Sequence, residues 1–481
     1  MKTNFYLAAA LVLHMAQPCL AGSAGTEEKR AEINVDYASA SSEYGPRLFG
    51  TMASPFYNAD GFLLAKQAGF KLMEIHIKPF DMAKNPDHPA SYDFALLDKQ
   101  VQAALDIGAE PFLLFMAHQT QPDLEKLAKT TKNTIAHLTA GWGGGHRWPL
   151  KLFRFGNEPD NTFMWRGSKA EFFRMYEVWA RATLSAVPDA ILTAPGILGA
   201  RMKGGKLNEW IPEFLDYLSK NSVPLDYFSV HAYSAITKPS FYDDFMLVRA
   251  ELQKYPGVSP HFGAPKLAND EWNLMVGDLW SGSYLKSFDT AWAAAHNATA
   301  FLNMIEAGVE LSIRYGGTFN GTMGCHDFLL TDCDNQGKPA YYAFRGLSWL
   351  EGSARLAVSG MDPMNSMAAA GRKEGWVIVA LASYDVERYI REYPDPRGHN
   401  SRLLEMYTRR FGAQEAKDGF RLTIINTPWR EGQKVKYERY LVDDTRKLEL
   451  VESKTATGGP AMVFEGPMPA PSVSFIVITP I

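Results

Sequence analysis

Two glutamates close short apolar runs: Glu158 in FRFGNEPDN (residues 153–161) and Glu271 in PKLANDEWN (265–273). Carboxylates do acid–base or nucleophilic work when two of them face one cavity. A facing pair is the working part of glycosidic bond cleavage. One carboxyl protonates the leaving oxygen, the other attacks the anomeric carbon, and water then releases the covalent intermediate. In the retaining version the two carboxyls stand ~5–5.5 Å apart, and the acid needs a raised pKa while the nucleophile stays ionised. Asp270 is a rival for Glu271, but strand alternation sends it to the opposite face. Asp160 reads as a loop residue. Glu110 opens a strand and reads as structural.

Such a pair must be held by rigid elements. From about Arg47 to Leu350, short apolar runs alternate with segments of helical period. The runs are RLFGTM, KLMEIHI, EPFLLFM, LKLFRFGNE, AILTAPG, YFSVHAY, PKLANDEW and LSIRYGG. The helical segments include Tyr92–Ile107, Lys169–Ala186, Asn208–Leu218, Asp243–Lys254 and Thr290–Ala307. Strand–helix alternation implies parallel strands with right-handed crossovers. Eight units predict an α/β fold, a (β/α)8 TIM barrel over residues 40–350. An open doubly wound sheet wants a glycine-rich turn after its first strand, and FGTMASPF is not one. GWGGGHRW follows a helix and precedes a strand, so it reads as a loop. Beyond residue 351 the runs shorten and alternate, predicting an antiparallel β-sandwich over 351–481, joined by a strand from residues 30–39.

Chemistry in such a barrel sits at the C-terminal strand ends. Glu158 ends the fourth strand and Glu271 the seventh. Their separation, 271 − 158 = 113 residues, is three strand–helix units. The two acids therefore face each other across the ring. His231 and Tyr233 end the sixth strand and alternate, so both point inward. His76 and His118 end the second and third strands. Trp142, Trp148, Trp165, Trp272 and Trp280 fall in segments expected at the mouth, where an aromatic face stacks on a sugar ring. Arg314 and Tyr315 end the eighth strand, with Arg314 expected in a structural ion pair.

The 481 residues are 46% hydrophobic and carry a formal charge of −4, with no basic run suited to nucleic acid or an anionic membrane. Residues 1–24 read as a signal peptide: Lys2, an apolar stretch from Phe5 to Ala16, then small residues at Ala21 and Ala24. That stretch is too short to span a bilayer. An exported protein, periplasmic or extracellular, is expected. In an oxidising compartment a Cys325–Cys333 disulfide follows. No His-x-His opens the barrel and no Cys/His cluster has zinc spacing, so no metal and no cofactor are expected.

FGNEPDNTFMWRGSKAEFFRMYEVWARA, LDYFSVHAYS and NDEWN resemble the retaining β/α-barrel glycosidases, and most closely glycoside hydrolase family 39. That family includes β-xylosidases, α-iduronidases and exopolysaccharide-degrading enzymes. The resemblance implies Glu158 as acid/base, Glu271 as nucleophile and an accessory β-sandwich. It implies that Asn157 binds the hydroxyl next to the anomeric carbon, that Tyr233 holds Glu271, and that His231 lines the sugar pocket. Trp272, His76 and His118 join the expected sugar-binding set. The partner is then an oligo- or polysaccharide. The pattern is departed from in three places: Gly156 stands where many relatives have an aromatic, Trp272 follows the nucleophile where Phe or another aromatic is commoner, and MEIHI lacks the arginine expected on the second strand. A saccharide-binding protein that kept the pocket and lost the chemistry is the rival reading.

Overall fold

Runs rich in Val, Ile, Leu and Phe bury both faces, as parallel strands flanked by helices require. A computed structural model describes residues 29–53, 58–116, 123–202, 204–274, 285–318, 328–395, 397–413 and 415–481. Eight parallel strands form the ring: β2 (Gly50–Met52), β3 (Leu72–Ile77), β4 (Glu110–Phe115), β5 (Leu152–Phe155), β6 (Ile191–Ile197), β7 (Tyr227–Val230), β9 (Lys266–Asn273) and β10 (Val309–Arg314). Pairing of β10 with β2 closes it, and the two-residue β8 (Ala232–Tyr233) carries the path of β7 along β9. All eight runs read as strands in the sequence are strands of the ring.

Leu72, Phe112, Leu152, Tyr227, Ala268, Leu311 and Ile313 fill the lower barrel with one apolar layer. Below it, Arg47 grips Glu110 through two parallel 2.8 Å hydrogen bonds, so Glu110 is structural. The helix Lys169–Ala186 has the predicted bounds because Ser168 and Glu171 form a reciprocal capping box at its start.

The predicted sandwich is built as one curled sheet. Nine strands, β1 (Arg30–Asp36), β11 (Ala354–Ser359), β12 (Ser366–Lys373), β13 (Trp376–Ser383), β14 (Gly419–Ile425), β15 (Lys434–Val442), β16 (Lys447–Thr457), β17 (Ala461–Pro467) and β18 (Ser472–Pro480), run in the order 16-15-18-13-12-11-1-14-17. The sheet folds over its own core of Ile33, Val35, Leu422, Tyr437, Phe464 and Ile476. β1 pairs antiparallel with β11 and parallel with β14. Two helices, Val386–Glu392 and His399–Phe411, interrupt this region. The sequence reading passed over them, although Leu403, Leu404, Tyr407 and Phe411 recur at helical spacing.

The helix Ala291–Ala307 is wedged between barrel and sheet and is buried all round, apart from Glu306. Its alanines allow that close approach. His296 Nε2 lies 2.7 Å from the Ser234 carbonyl, and the Tyr384 hydroxyl donates to the Ala235 carbonyl at 2.9 Å. Burial, aided by the charge of Arg314, pulls the His296 imidazole down to about 3, so it folds neutral. An unfolded histidine takes its proton near pH 6.5. The unfolded chain therefore binds protons first, and stability present above pH 6.5 is lost as pH falls toward 3. In urea unfolding, His296→Gln should flatten the acid-side loss of stability, by at most about 1.4 kcal/mol per pH unit, the slope of one proton.

Candidate active site

Glu158 is placed by an unusual stretch of backbone. After β5, Gly156 has φ 83° and Glu158 φ 46°, both left-handed. The turn is tied on three sides: Gly156 N–H donates to Phe115 O at 3.0 Å, Glu158 N–H to Gly196 O at 2.8 Å, and Asn161 N–H to Glu158 O at 2.9 Å. A side chain at Gly156 would put Cβ 2.6 Å from the Phe172 ring, so only glycine fits here.

Glu271 is placed by an irregularity. Ser312 and Arg314 of β10 pair with Asn269 and Trp272 of β9, so the single residue Ile313 stands opposite two, Asp270 and Glu271. That is a β-bulge, which turns two successive side chains to one face. Asp270 and Glu271 consequently both point into the barrel. The expectation that alternation sends Asp270 away is corrected: Asp270 is fully buried in the barrel interior. It is an ion-pair partner there, with Oδ2 2.6 Å from Arg154 Nε and Oδ1 3.2 Å from His231 Nε2.

His231 joins the two glutamates. Its Nδ1 lies 2.9 Å from Glu158 Oε1 and 4.0 Å from Glu271 Oε1. One oxygen of each glutamate and a ring nitrogen of His231 lie within 4.8 Å of one another. Asn161 Nδ2 donates to Glu158 Oε2 at 2.8 Å, and the Tyr233 hydroxyl donates to Glu271 Oε1 at 2.6 Å. Beneath them Arg154, wholly buried, reaches Glu74 Oε2 at 2.6 Å and Asn157 Oδ1 at 3.0 Å.

These contacts set the charges. Burial works against the His231 imidazolium, but Glu271, Asp270 and Glu158 outweigh it and push its pKa up to about 10. Burial raises Glu158, yet the hydrogen bond and charge of His231 prevail and hold it below the usual carboxylate range. Glu271 lies above that range, raised by burial and by the charge of Glu158 against the pull of His231 and Tyr233. When the unliganded pair holds a single proton, these opposite directions favour Glu271 over Glu158, the reverse of the order the assigned roles need.

Residues 57–274 match the model of glycosyl hydrolases family 39. Over that stretch, which carries most of the barrel strands, the chain is similar to family 39. A β-xylosidase of Geobacillus stearothermophilus is 28% identical over 165 residues, 30% of this chain and 31% of that protein. The aligned part thus spans about a third of such curated relatives. Among solved structures, a glucosidase from Croceicoccus marinus superposes with a TM-score of 0.74 at 22% identity, covering 94% of this chain and 99% of that one. A monomeric β-xylosidase from Caulobacter crescentus gives 0.69 at 19% identity, covering 94% and 99%. At these identities the superpositions establish the shared fold.

Within this barrel the remaining expected residues fall into two groups. At the mouth, Asn157 is buried with its oxygen held by Arg154, and His76 lies half-exposed with Nε2 3.0 Å from Glu74 Oε1. The Tyr315 ring meets Tyr233 edge-on at 5.9 Å. His118, Trp280 and Cys325 lie outside the described residues, as does the expected signal peptide, while Cys333 is disulfide-bonded. Trp272 is no sugar ligand. The bulge turns it outward, fully buried, where Nε1–H donates to Ser312 Oγ at 2.8 Å. Trp165 is likewise core, against Phe172. Trp142 and Trp148 belong to the loop that feeds the N-terminal end of β5, the face opposite the mouth. Arg314 points outward too; among the described residues no carboxylate pairs with it, and Asn297 Oδ1 accepts its Nε–H at 3.1 Å. Asp160 is a loop clamp, accepting from Leu198 N–H at 2.9 Å and Asn208 Nδ2 at 2.8 Å.

Arg154 and Glu74 escaped the sequence reading. The signal was their charge inside otherwise apolar strands, which burial makes costly unless the charges are paired. Arg154 on β5 also puts a guanidinium beside Glu74 of β3, the strand noted as lacking its expected arginine. Gly156→Ala should destabilise by about 1–3 kcal/mol through the Phe172 collision, read as a lowered urea midpoint with unchanged slope.

Proposed function

We propose that the protein is an exported retaining glycoside hydrolase acting on an oligo- or polysaccharide, with Glu158 as acid/base and Glu271 as nucleophile. The observation that carries this is the approach of the two carboxylates to within 4.8 Å, close to the ~5–5.5 Å separation of double displacement. It leaves too little room for the water that an inverting enzyme holds between its acids. The β-xylosidases among its relatives make a β-xyloside the first substrate to try.

Glu271 attacks the anomeric carbon as the glycosidic C–O bond breaks, and Glu158 gives its proton to the leaving oxygen. Glu158 then takes a proton from water, the water oxygen attacks the same carbon, and the bond to Glu271 breaks. Asn157 is positioned for the neighbouring hydroxyl, its oxygen fixed by Arg154 so that its amide hydrogens point onward. The productive state, with Glu158 protonated and Glu271 ionised, carries one proton, as does the state with that proton on Glu271 instead. The two differ by one transfer between adjacent carboxylates, so the pair titrates as a unit. A bell-shaped pH dependence follows, because both the doubly protonated and the fully ionised pairs are inactive.

Glu158→Gln should lower turnover of poorly activated glycosides about 10²–10⁴-fold, with smaller losses on aryl glycosides whose leaving group needs no proton. Glu271→Ala should abolish turnover while circular dichroism stays unchanged. Product stereochemistry by NMR tests the covalent step, and an inverted anomer excludes it. Saccharide binding without hydrolysis of any glycoside in an aryl panel favours the binding-protein reading. Tyr233→Phe removes the hydrogen bond that lowers Glu271. Activity on the acidic side of the profile should then fall while the alkaline side is kept, moving the optimum to higher pH.

A further inference from the structure

Outside the strand wall, one carboxylate and two imidazoles converge in a part of the molecule that the glycosidase chemistry does not use. Asp98 lies in the first turn of the helix Ala95–Asp106, His137 in the last turn of the helix Leu124–Thr139, and His146 in the loop GWGGGHRW that leads into β5. One atom from each, two ring nitrogens and a carboxylate oxygen, lie within 4.8 Å of one another. His137 Nε2 is 3.1 Å from Asp98 Oδ1 and 3.3 Å from Oδ2, and His146 Nε2 is 3.4 Å from Oδ2. A tetrahedral ion with nitrogen and oxygen ligands at ~2.0–2.1 Å has edges of about 3.3–3.4 Å between its ligands. The two edges that run to Oδ2 have that length.

Hydrogen bonding points the same way. His137 Nδ1 is 3.0 Å from the Trp142 carbonyl. A carbonyl only accepts, so Nδ1 carries the hydrogen and a neutral ring turns its Nε2 lone pair toward Asp98. The carboxylate also only accepts, and His146 Nε2 lies alongside. One cation between them satisfies all three groups. A backbone carbonyl fixing the tautomer of a ligating histidine is the usual outer-shell arrangement at a metal.

The rings are held before any ion arrives. Phe94 stacks on His137 at 3.7 Å and Trp148 on His146 at 3.8 Å, both nearly parallel. His146 N–H donates to the His137 carbonyl at 2.6 Å, and a Cβ at Gly145 would collide with that carbonyl and with the His137 ring. The glycines of the loop let it lie flat against the helix. The separations, 146 − 137 = 9 and 137 − 98 = 39 residues, match no zinc motif, so the expectation of no metal was blind to this cluster.

We propose that Asp98, His137 and His146 form a Zn2+ site, completed by water, that staples the loop 141–148 to two barrel helices. Two imidazole nitrogens with a carboxylate oxygen favour zinc over magnesium or calcium, which prefer all-oxygen shells. The loop enters β5, the strand that ends near Glu158, at the face of the barrel that governs stability rather than chemistry. The site is therefore structural and independent of the hydrolytic reading.

Tag-free protein stripped with chelator and dialysed is titrated with zinc chloride alone. Bound metal is counted by mass spectrometry and the melting temperature is recorded. One equivalent per chain and a higher melting temperature are expected, and cobalt(II) substitution should give the visible band of a tetrahedral ion. His146→Gln, at a half-exposed position, and Asp98→Asn should each weaken zinc binding at least about tenfold and abolish the thermal shift. Both variants should keep the circular dichroism of the parent. Less than one equivalent bound at about 100 μM zinc, or binding and thermal shift that both substitutions leave unchanged, overturns the site.

Discussion

The guanidinium of Arg154 is the charge on which the barrel interior depends. Buried ions cost several kcal/mol each unless paired and hydrogen-bonded. Above the apolar layer, among the described residues, Glu74, Asp270, Glu158 and Glu271 meet two cations, Arg154 and His231. Arg154 meets Glu74, Asp270 and Asn157, and so links strands β3, β5 and β9 through a single side chain. His231, charged because anions surround it, passes that positive potential up to Glu158. Two cations against four carboxylates leave a net charge of −2, or −1 with one shared proton.

Two departures from regular backbone put the carboxylates where this field acts. A left-handed turn after β5 aims Glu158 across the ring, and such conformations cost about 1–3 kcal/mol for a residue other than glycine. A bulge in β9 turns Asp270 and Glu271 to one face, one for the buried ion layer and one for the cavity. An ideal strand would have supplied one of these acids and lost the other to the helical shell. Both irregularities are held by neighbours: Phe115, Gly196 and Phe172 for the turn, and Trp272 packed outward against Phe301 and Phe344 for the bulge.

The curled sheet is bound to the barrel through the helix Ala291–Ala307 rather than through a flexible tether. Thr237 Oγ1 donates to Pro363 O at 2.8 Å and Asn303 Nδ2 donates to the same oxygen at 3.0 Å, so barrel loop, helix and sheet share one acceptor. β1, far upstream in the chain, closes the sheet between β11 and β14. The barrel is thus clasped by strands from both of its ends.

Much of this was legible in the chain. Apolar runs alternating with helical stripes determined the eight-stranded barrel, because period and β-branched content are local properties that water enforces on every turn and strand. The Ser168–Glu171 spacing set a helix start for the same local reason. Placing Glu158 and Glu271 at strand ends followed from topology alone. Alternation failed at Asp270 and Trp272, since a bulge is one extra residue whose position depends on how β10 and β9 pair. The roles of Arg154 and Glu74, the inverted acidities of the two glutamates and the convergence of Asp98, His137 and His146 were decided by tertiary structure. Each depends on distances between segments far apart in the chain, and electrostatic and coordinate interactions act through space, where sequence separation carries no information.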